Sequence, residues 1–418
     1  MLQHIVARFK EHEKKVAEWF SVKIAGVEGD PVYCSVDVRN AGYKIAPVDT
    51  NIFPAGWNNL CPSYQREAGK LFQEYFKKNY PTARHVLILA EEHTRNPFYF
   101  ESLFHLKKIV ESAGSEVSVG TLNQSAETKA VFDTADGNAI TIFKIRREND
   151  ALLTDSGKPD FVLVNNDFSA GIPELIKKII QPLIPSPHIG WHQRKKSDHF
   201  KWYCDISRQL AEFIAIDPWL LCAEFTHVND IDLQNQSDRE KIAHAVDSII
   251  EKIKPKHAEY AIKAEPFVFV KNDAGTYGMA VTTASSGDEF LTINKKTRNK
   301  LKTGKGNVRV SDFIIQEGIP TIDRFKGKVA EPVMYLVNHM VCGGFFRLHE
   351  ERNERENLNT PGMQFAKLCF HEMFGYSNEY KGECDLECLS MILKHVARLA
   401  SISAGHEIIT VEASTTLP

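Results

Sequence analysis

Two short apolar runs most constrain the fold that this chain can adopt. They are His85–Ala90 (HVLILA) and Phe161–Val164 (FVLV). Unbroken apolar runs of this length are typical of parallel strands, which are covered by helices on both faces. Between them, Asn96 and Pro97 form an N-cap followed by proline at the first helical position, which predicts a helix extending to Gly114. The order strand, helix, strand indicates an α/β sheet in this part of the chain.

The rest of the chain predicts a mixed architecture. Residues 165–167 (NND) follow the second apolar run, and polar residues at the carboxyl end of such a strand are where ligands bind in α/β sheets. The pattern further predicts an amphipathic helix at the N-terminus, helices near 203–215, 239–254 and 385–402, strands Asp312–Gln316 and Val333–Val337, and a last strand Glu407–Glu412. We therefore predict an α/β (α+β) fold with two domains, residues 1–200 and 201–418.

Composition excludes several classes of protein. The chain has 418 residues, 43% of them hydrophobic and 25% charged, as in ordinary globular proteins. Its net charge of −3 gives no support for binding to nucleic acid or anionic lipid. No apolar run approaches the roughly 20 residues that span a bilayer, and the N-terminus lacks the pattern of a signal peptide, which predicts a cytoplasmic protein. The eight cysteines are scattered, which predicts mostly free thiols and no zinc site.

The hairpin Pro266–Thr282 (PFVFVKNDAGTYGMAVT) is the most informative candidate for a functional site. Its first strand ends at Lys271, and the turn Asn272–Gly278 contains Gly275 and Gly278. Glycine lets backbone N–H groups approach an anion closely, and a lysine at the turn adds a point charge for phosphate. The hairpin is interpreted as a phosphate-binding lid, with an ordinary glycine-containing turn as the alternative.

Two other phosphate-binding patterns are excluded. The nearest approach to a Walker motif, residues 303–306 (TGKG), has Asn299 at the position of the first glycine and Gly306 after the lysine. No G-x-G-x-x-G follows a predicted strand, which argues against a dinucleotide-binding Rossmann site.

Later segments supply candidates for nucleotide and metal binding. In the segment 313–319 (FIIQEGI), Gln316, Glu317 and the backbone at Ile319 would contact an adenine and its ribose, unless the strand simply ends at a turn. Arg347, after two glycines, would clamp a phosphoryl group or a carboxylate, although a surface arginine in a hairpin is as common. Three residues carry the oxygen ligands that Mg²⁺ prefers, with a polar turn at 356–362 as the alternative: Glu356, Asn359 and Glu412.

The order of these features resembles the ATP-grasp superfamily. The segment 163–200 is similar to the region that precedes the ATP-grasp fold in bacterial glutathione synthetases, which implies that Lys196 binds phosphate. The blocks SVDVRNAGYKIAPVDTNIFPAGWNNL (35–60) and EEHTRNPFY (91–99) resemble the proteobacterial glutamate–cysteine ligase family. This resemblance covers nearly the whole chain. It implies a pre-ATP-grasp-like α/β domain followed by an ATP-grasp-like domain.

The resemblance also implies a reaction. ATP, L-glutamate and L-cysteine would give γ-glutamylcysteine, ADP and phosphate with Mg²⁺, in the first step of glutathione synthesis. The glutamate side chain would first accept the γ-phosphoryl group, and the amine of cysteine would then attack the acyl phosphate. Lys196, Lys271 and Arg347 would neutralise charge and align the reactants. A closed lid would exclude water from the acyl phosphate.

For the amino-acid substrates, the best candidates lie in the polar block 37–59. Arg39 would bind an α-carboxylate and Asp49 an α-ammonium group, because each presents the complementary charge. Hydrogen bonds that merely stabilise loops remain the alternative for each residue. The remaining substrate-binding candidates are Asn51, Asn58, Asn59, His93 and Arg95.

One departure from the ATP-grasp pattern leaves alternatives open. The usual Glu-x-Asn metal motif has only Glu412-Ala413-Ser414 as a counterpart near the C-terminus. Glu412 would then pair with a residue of 356–359, or the metal is held differently. Another ATP-grasp ligase, such as glutathione synthetase, and a non-catalytic nucleotide-binding protein are the competing hypotheses.

Overall fold

The computed structural model describes residues 1–92, 96–275, 280–302, 310–368, 380–381 and 386–416. The helices are α1 Leu2–Glu11, α2 Glu13–Ala25, α3 Pro62–Asn79, α4 Pro97–Ser112, α5 Lys196–Phe213, α6 Gln236–Glu259, α7 Asp288–Leu291, α8 Lys295–Lys302 and α9 Leu386–Thr416. The strands are β1 Tyr33–Asn40, β2 Ile45–Asn51, β3 His85–Ala90, β4 Glu116–Thr121, β5 Lys129–Asp133, β6 Ala139–Lys144, β7 Arg146–Glu148, β8 Ala151–Leu153, β9 Phe161–Asn165, β10 Leu183–Ile184, β11 Phe225–Val228, β12 Val268–Asn272, β13 Val281–Ala284, β14 Phe313–Glu317, β15 Arg324–Phe325, β16 Lys328–Val337, β17 Met340–His349, β18 Gln364–Lys367 and β19 Tyr380–Lys381.

A largely parallel sheet confirms the α/β prediction. Its order is β10-β9-β3-β4-β6-β5; the first five of these strands run parallel to one another, and β5 is antiparallel to β6. Both predicted apolar runs are strands of this sheet and are fully buried. The helix that follows Asn96 is confirmed as well, because the Asn96 side chain accepts a hydrogen bond from the Phe98 N–H and caps α4. Local sequence signals therefore predicted two strands of this layer and the helix that follows the first of them.

Besides the two-stranded hairpin β7–β8, two antiparallel sheets complete the described part of the fold. The smaller has the order β11-β14-β12-β13 and contains the predicted hairpin around Lys271. The larger has the order β18-β17-β16-β1-β2, with β15 and β19 attached beside β16. In it β1 pairs with β16, so Tyr33 lies opposite Val337 and Asp37 opposite Val333. The predicted division at residue 200 therefore separates two strands that pair with each other.

The last predicted strand is wrong, because residues 407–412 belong to helix α9. The run Ile408-Ile409-Thr410-Val411 is β-branched and on its own favours a strand. In the folded chain Ala404, Ile408 and Val411 lie three and four residues apart and pack on the parallel sheet, which is the spacing of a helix face. Burial of that face outweighs the local preference. The helices predicted near 203–215, 239–254 and 385–402 are confirmed as α5, α6 and α9, with longer bounds.

The cysteines mostly match the prediction of free thiols. Cys34, Cys61 and Cys342 are buried thiols. Cys204 and Cys222 form a disulfide that was not predicted and that joins α5 to the segment before β11, with 5.5 Å between their Cα atoms. No helix in the described part of the chain is both long and apolar enough to cross a bilayer.

Candidate active site

An open cleft of about 580 Å³ lies between the hairpin β12–β13 and the larger antiparallel sheet. The start of α5 and a loop after β17 close its sides. Most of the side chains that line it are charged or polar, which is appropriate for phosphates and amino acids rather than for an apolar ligand. The lining residues are Asp37, Arg39, Val48, Asp49, Lys196, Phe269, Lys271, Asn272, Gly275, Val281, Glu331, Asn357 and Asn359.

Two lysines from different elements meet at strand β2. Lys271 lies in β12, and its Nζ donates to the Val48 carbonyl at 3.0 Å and to Gln316 Oε1 at 2.7 Å. Lys196 is the first residue of α5, and its Nζ forms an ion pair with the neighbouring Asp49. The two ammonium groups thus contact consecutive residues of one strand. Both predicted phosphate-binding lysines are brought to the same wall of the cleft.

The environment of Lys271 opposes its positive charge. The pKa of Lys271 is lowered to about 7, chiefly by burial; the nearby cations Lys196 and Arg39 add to the shift, whereas Asp49 and Glu331 oppose it. A polyanion in the cleft would reverse this balance, because it would favour the protonated ammonium.

Asp273 fastens the start of α5 to the hairpin turn. It is fully buried, and its carboxylate accepts from the Ser197 N–H at 2.8 Å and from the Ser197 hydroxyl at 2.7 Å. The Asp273 carbonyl accepts from the Lys196 N–H at 2.7 Å. An acidic side chain here also complements the dipole of α5. The position of Lys196 is therefore coupled to the turn that contains Gly275.

A row of charged residues crosses four adjacent strands of the larger sheet. Arg347 in β17 lies opposite Glu331 in β16, and Asp37 in β1 lies opposite Asp49 in β2. Arg347 Nη1 bridges the two middle strands, with 2.7 Å to Asp37 Oδ2 and 2.6 Å to Glu331 Oε1. This bridge holds the two carboxylates together beneath the cleft.

The pKa values of the two bridged carboxylates are shifted in opposite directions. Burial raises the pKa of Asp37; Arg347 opposes this, while Glu331 and Asp49 add to it. Burial also opposes ionisation of Glu331, but the guanidinium groups of Arg39 and Arg347 hold its pKa below the usual value. Glu331 is therefore the more firmly ionised of the two.

Arg39 lines the cleft, and four of its five N–H groups already donate to protein acceptors. Its Nε donates to Glu331 at 3.0 Å, and its terminal nitrogens donate to the carbonyls of Ile319, Glu354 and Glu356. Binding a substrate carboxylate through two N–H groups would require exchange of one of these partners. The geometry favours a role for Arg39 in holding Glu331 and the loop before Asn357.

Comparisons with known proteins identify the family of the chain. The sequence profile of the glutamate–cysteine ligase family matches residues 7–408. The chain belongs to this family. A structure from Methylobacillus flagellatus KT, described as a candidate gamma-glutamylcysteine synthetase, is 37% identical, with a TM-score of 0.87 over 97% of this chain and 96% of the other. No curated protein sequence matches significantly.

A more distant structure is the D-alanyl-alanine synthetase A of Vibrio cholerae O1 biovar eltor. It is 10% identical, covers 75% of this chain and 80% of the other, and has a TM-score of 0.34, which is too low to carry an argument. The family and the first neighbour are consistent with an ATP-grasp-like α+β fold. Glutamate–cysteine ligases are ATP-dependent carbon–nitrogen ligases of glutathione biosynthesis.

The residues predicted to contact adenine lie behind the wall of the cleft. Gln316 is buried and bonds Lys271, and its Nε2 has no hydrogen-bond partner among the described residues. Glu317 is buried in an ion pair with Lys44 at 2.5 Å, and it also accepts from the Glu224 N–H. Ile319 is buried, and its carbonyl accepts from Arg39. They support the cleft wall in this structure and do not line it.

Several other predicted ligase residues lie elsewhere. Asn51 caps a turn at Phe53, and Asn58 donates to Glu101 at 3.0 Å, away from the cleft lining. Asn59 and Arg347 are also outside the lining set, although the partners of Arg347 belong to it. Three predicted residues lie outside the described part of the chain: His93, Arg95 and Gly278.

The predicted metal ligands are not brought together. Asn359 lines the cleft, whereas the Glu356 carboxylate pairs with Arg352 at 2.7 Å, and Glu412 lies in α9 and not at the end of a strand. Glu101, His105 and Asp136 are the described residues that form a candidate metal-ligating group. None of the three lines the cleft.

Sequence reasoning missed two acidic and two amide side chains that line the cleft. Asp37 was inside the polar block 37–59, and Glu331 is a single acid in the otherwise apolar strand β16. A lone carboxylate in such a strand requires a buried partner, which was the signal available for Glu331. Asn272 and Asn357 flank residues that were predicted, and no separate signal marked them.

Proposed function

We propose that this cleft joins L-glutamate to L-cysteine through a γ-glutamyl phosphate, with ATP as the phosphoryl donor and ADP and phosphate as products. The observation that carries the proposal is the convergence of Lys196 and Lys271 on Val48 and Asp49 of strand β2. Two ammonium groups on one wall of a polar cleft suit a triphosphate, because each neutralises charge that moves during phosphoryl transfer.

Lys271 would become fully protonated when the triphosphate binds. Its depressed pKa means that the free protein carries a mixture of ammonium and amine near neutral pH. Arrival of the phosphates would favour protonation, and Lys196 would share the anion with Asp49. The hairpin would then cover the acyl phosphate and exclude water. Arg347 would act indirectly, by holding the cleft residues Asp37 and Glu331 in place.

The amino-acid groups would be bound by the acids of the cleft. Asp37 and Asp49 lie opposite each other on adjacent strands, and each presents a carboxylate to an ammonium group. The cysteine amine would attack the γ-carbonyl of glutamyl phosphate, and phosphate would leave. Because an amine can release its proton after attack, the reaction needs alignment more than it needs a strong base.

Mg²⁺ is proposed as the metal of this reaction. The lining set includes hard oxygen donors suited to it: the carboxylate of Glu331 and the amide oxygens of Asn357 and Asn359. A bound Mg²⁺ would neutralise charge on the phosphates. We also propose a cytoplasmic location, since ATP and a reduced thiol substrate are both available there.

The test is ADP release by the purified protein with ATP and Mg²⁺, with glutamate and cysteine supplied singly and together. We expect release and a γ-glutamylcysteine mass only with both. Lys271→Ala should lower kcat/KM for ATP by on the order of 100-fold. Lys263→Ala, an exposed lysine before the same hairpin, is the matched control and should leave it unchanged.

Two other outcomes would replace the proposal. ADP release with γ-glutamylcysteine and glycine, but not with glutamate and cysteine, would assign glutathione synthetase activity. ATP binding without release in any amino-acid mixture would assign a non-catalytic nucleotide-binding role.

A further inference from the structure

A buried charged cluster lies directly behind the cleft and outside the mechanism described so far. It consists of Arg194, before α5, His199 in α5 and Glu407 in α9, each about 1% exposed. Arg194 binds the Glu407 carboxylate through two nitrogens, at 2.7 and 3.1 Å. His199 Nδ1 lies 3.1 Å from Glu407 Oε2.

The charges in this cluster are fixed by their surroundings. Burial opposes ionisation of Glu407, but Arg194 and His199 together hold its pKa below the usual value. Burial lowers the pKa of His199, so its neutral ring donates through Nδ1, and its Nε2 has no partner among the described residues. The cluster is thus one cation, one anion and one neutral donor at neutral pH.

The cluster contacts both sides of the Asp49–Lys196 ion pair. Arg194 Nη1 donates to the carbonyl of Thr50, the residue after Asp49, at 2.6 Å. On the other side, Arg194 and His199 flank Lys196 in sequence. The ring of Trp191 lies 4.5 Å from the guanidinium of Arg194 and 4.5 Å from the ammonium of Lys196. One carboxylate on α9 therefore fixes the segments that present both members of the pair.

Stability alone does not account for such an arrangement. Replacing a buried ion pair by apolar side chains of similar volume is often neutral or stabilising, because the desolvation of two charges is avoided. The same replacement would remove the hydrogen bond from Arg194 to Thr50. What the charged cluster adds is a fixed geometry at the cleft wall.

We propose that Glu407 is a positioning residue for the ligase reaction. Through Arg194 and His199 it holds Asp49 and Lys196 at a set separation, so that the triphosphate meets a preformed site. This inference rests on the proposed binding of ATP in the cleft. Glu407 itself touches no substrate.

The decisive variant is the double substitution Arg194→Met with Glu407→Leu, which removes both charges and keeps most of the volume. We expect its thermal midpoint to stay near that of the unchanged protein, while the Kd for ATP rises about tenfold, the loss of roughly one charge-assisted contact. Ser401→Ala is the matched control on α9. It removes the buried contact with His339 at 2.9 Å and should leave the Kd for ATP unchanged.

A second readout does not depend on ATP. Lys196 is 7% exposed, whereas Lys201 on the same helix is exposed, so an amine-acylating reagent should label Lys201 first. In the double variant, labelling of Lys196 relative to Lys201 should rise severalfold, as followed by peptide mass spectrometry. If the unchanged protein bound no ATP, the proposed function would fail, and this ratio would still decide whether Glu407 positions Lys196. An unchanged ratio in a folded double variant would overturn the inference.

Discussion

Lys271 is held by the fold in a state that favours loss of its proton before any ligand binds. Its ammonium lies near Lys196 and Arg39, and its hydrogen bonds within the described residues go to a carbonyl and an amide oxygen. An incoming phosphate supplies the missing negative charge. Binding of ATP and uptake of a proton by Lys271 are therefore coupled.

This coupling predicts a pH-dependent affinity. Above the pKa of about 7, the ligand-free protein must take up a proton to bind ATP, so the affinity should fall by up to about tenfold per pH unit between pH 7 and 9. Lys271→Arg keeps its charge in this range and should flatten the dependence. Isothermal titration calorimetry in buffers of different ionisation enthalpy would count the protons. A flat profile for the unchanged protein would show that Lys271 is already protonated.

At the residue level, sequence reasoning found the cations of the cleft more readily than its acids. Lys271 was marked by the glycines beside it, and Lys196 by a resemblance covering its whole segment. Asp37 and Glu331 were not singled out, because their importance comes from one arginine that bridges two strands. Such a contact exists only after β1 and β16 have paired.

Among the elements, helix α9 differs most from what the sequence predicts. Its last turns were read as a strand from a β-branched run, and its buried carboxylate, Glu407, was not singled out. Two strands of the parallel sheet, β3 and β9, and helix α4 were predicted correctly, since apolar runs and an N-cap are local signals. Which face of α9 is buried depends on the sheets that pack on both sides of it. A local sequence pattern carries no information about those sheets.

The packing of α9 also depends on two glycines. A Cβ on Gly405 would lie 2.3 Å from Val27 Cγ1 and 2.6 Å from the carbonyl oxygen of Gly29, which is closer than such atoms approach. The loop before β1 therefore lies directly on the backbone of the helix. Only residues without side chains allow this distance.

Gly405→Ala should destabilise the protein although alanine is the better helix former. The overpacking costs about 1–3 kcal/mol, against roughly 1 kcal/mol gained in helix propensity. Gly26→Ala is the control in the same loop, because its nearest atoms are 3.6 Å away and its φ is −90°. Urea unfolding should show a lower midpoint for the first variant and little change for the second. Equal midpoints would indicate that the loop moves freely off α9.

For the whole molecule, the pairing of β1 with β16 joins the ends of the sequence into one sheet. The acids Asp37 and Asp49 come from the first fifty residues, and Glu331 and Arg347 come from the last hundred. The cleft is thus assembled from both halves. No local pattern specifies which distant strand β1 will choose.

Fragments 1–200 and 201–418 should therefore fail to bind ATP when expressed apart. The second fragment keeps Lys271 but lacks Lys196 and Asp49, and it leaves an edge of β16 unpaired. Equilibrium dialysis with ATP would compare each fragment with the full chain. Native affinity in the fragment 201–418 alone would contradict this expectation.

The pairing of β1 with β16 also determines how long β1 remains unpaired during synthesis. From Asn40, the end of β1, to Lys328, the start of β16, the chain is 288 positions long (328 − 40), so a ribosome making 5–20 residues per second needs roughly 15 to 60 seconds to supply the partner strand. During that interval the nascent hairpin β1–β2 exposes an apolar edge with no permanent neighbour. Strand β1 is the first strand to emerge and among the last to find its partner. Until then, chaperones protect its unpaired edge.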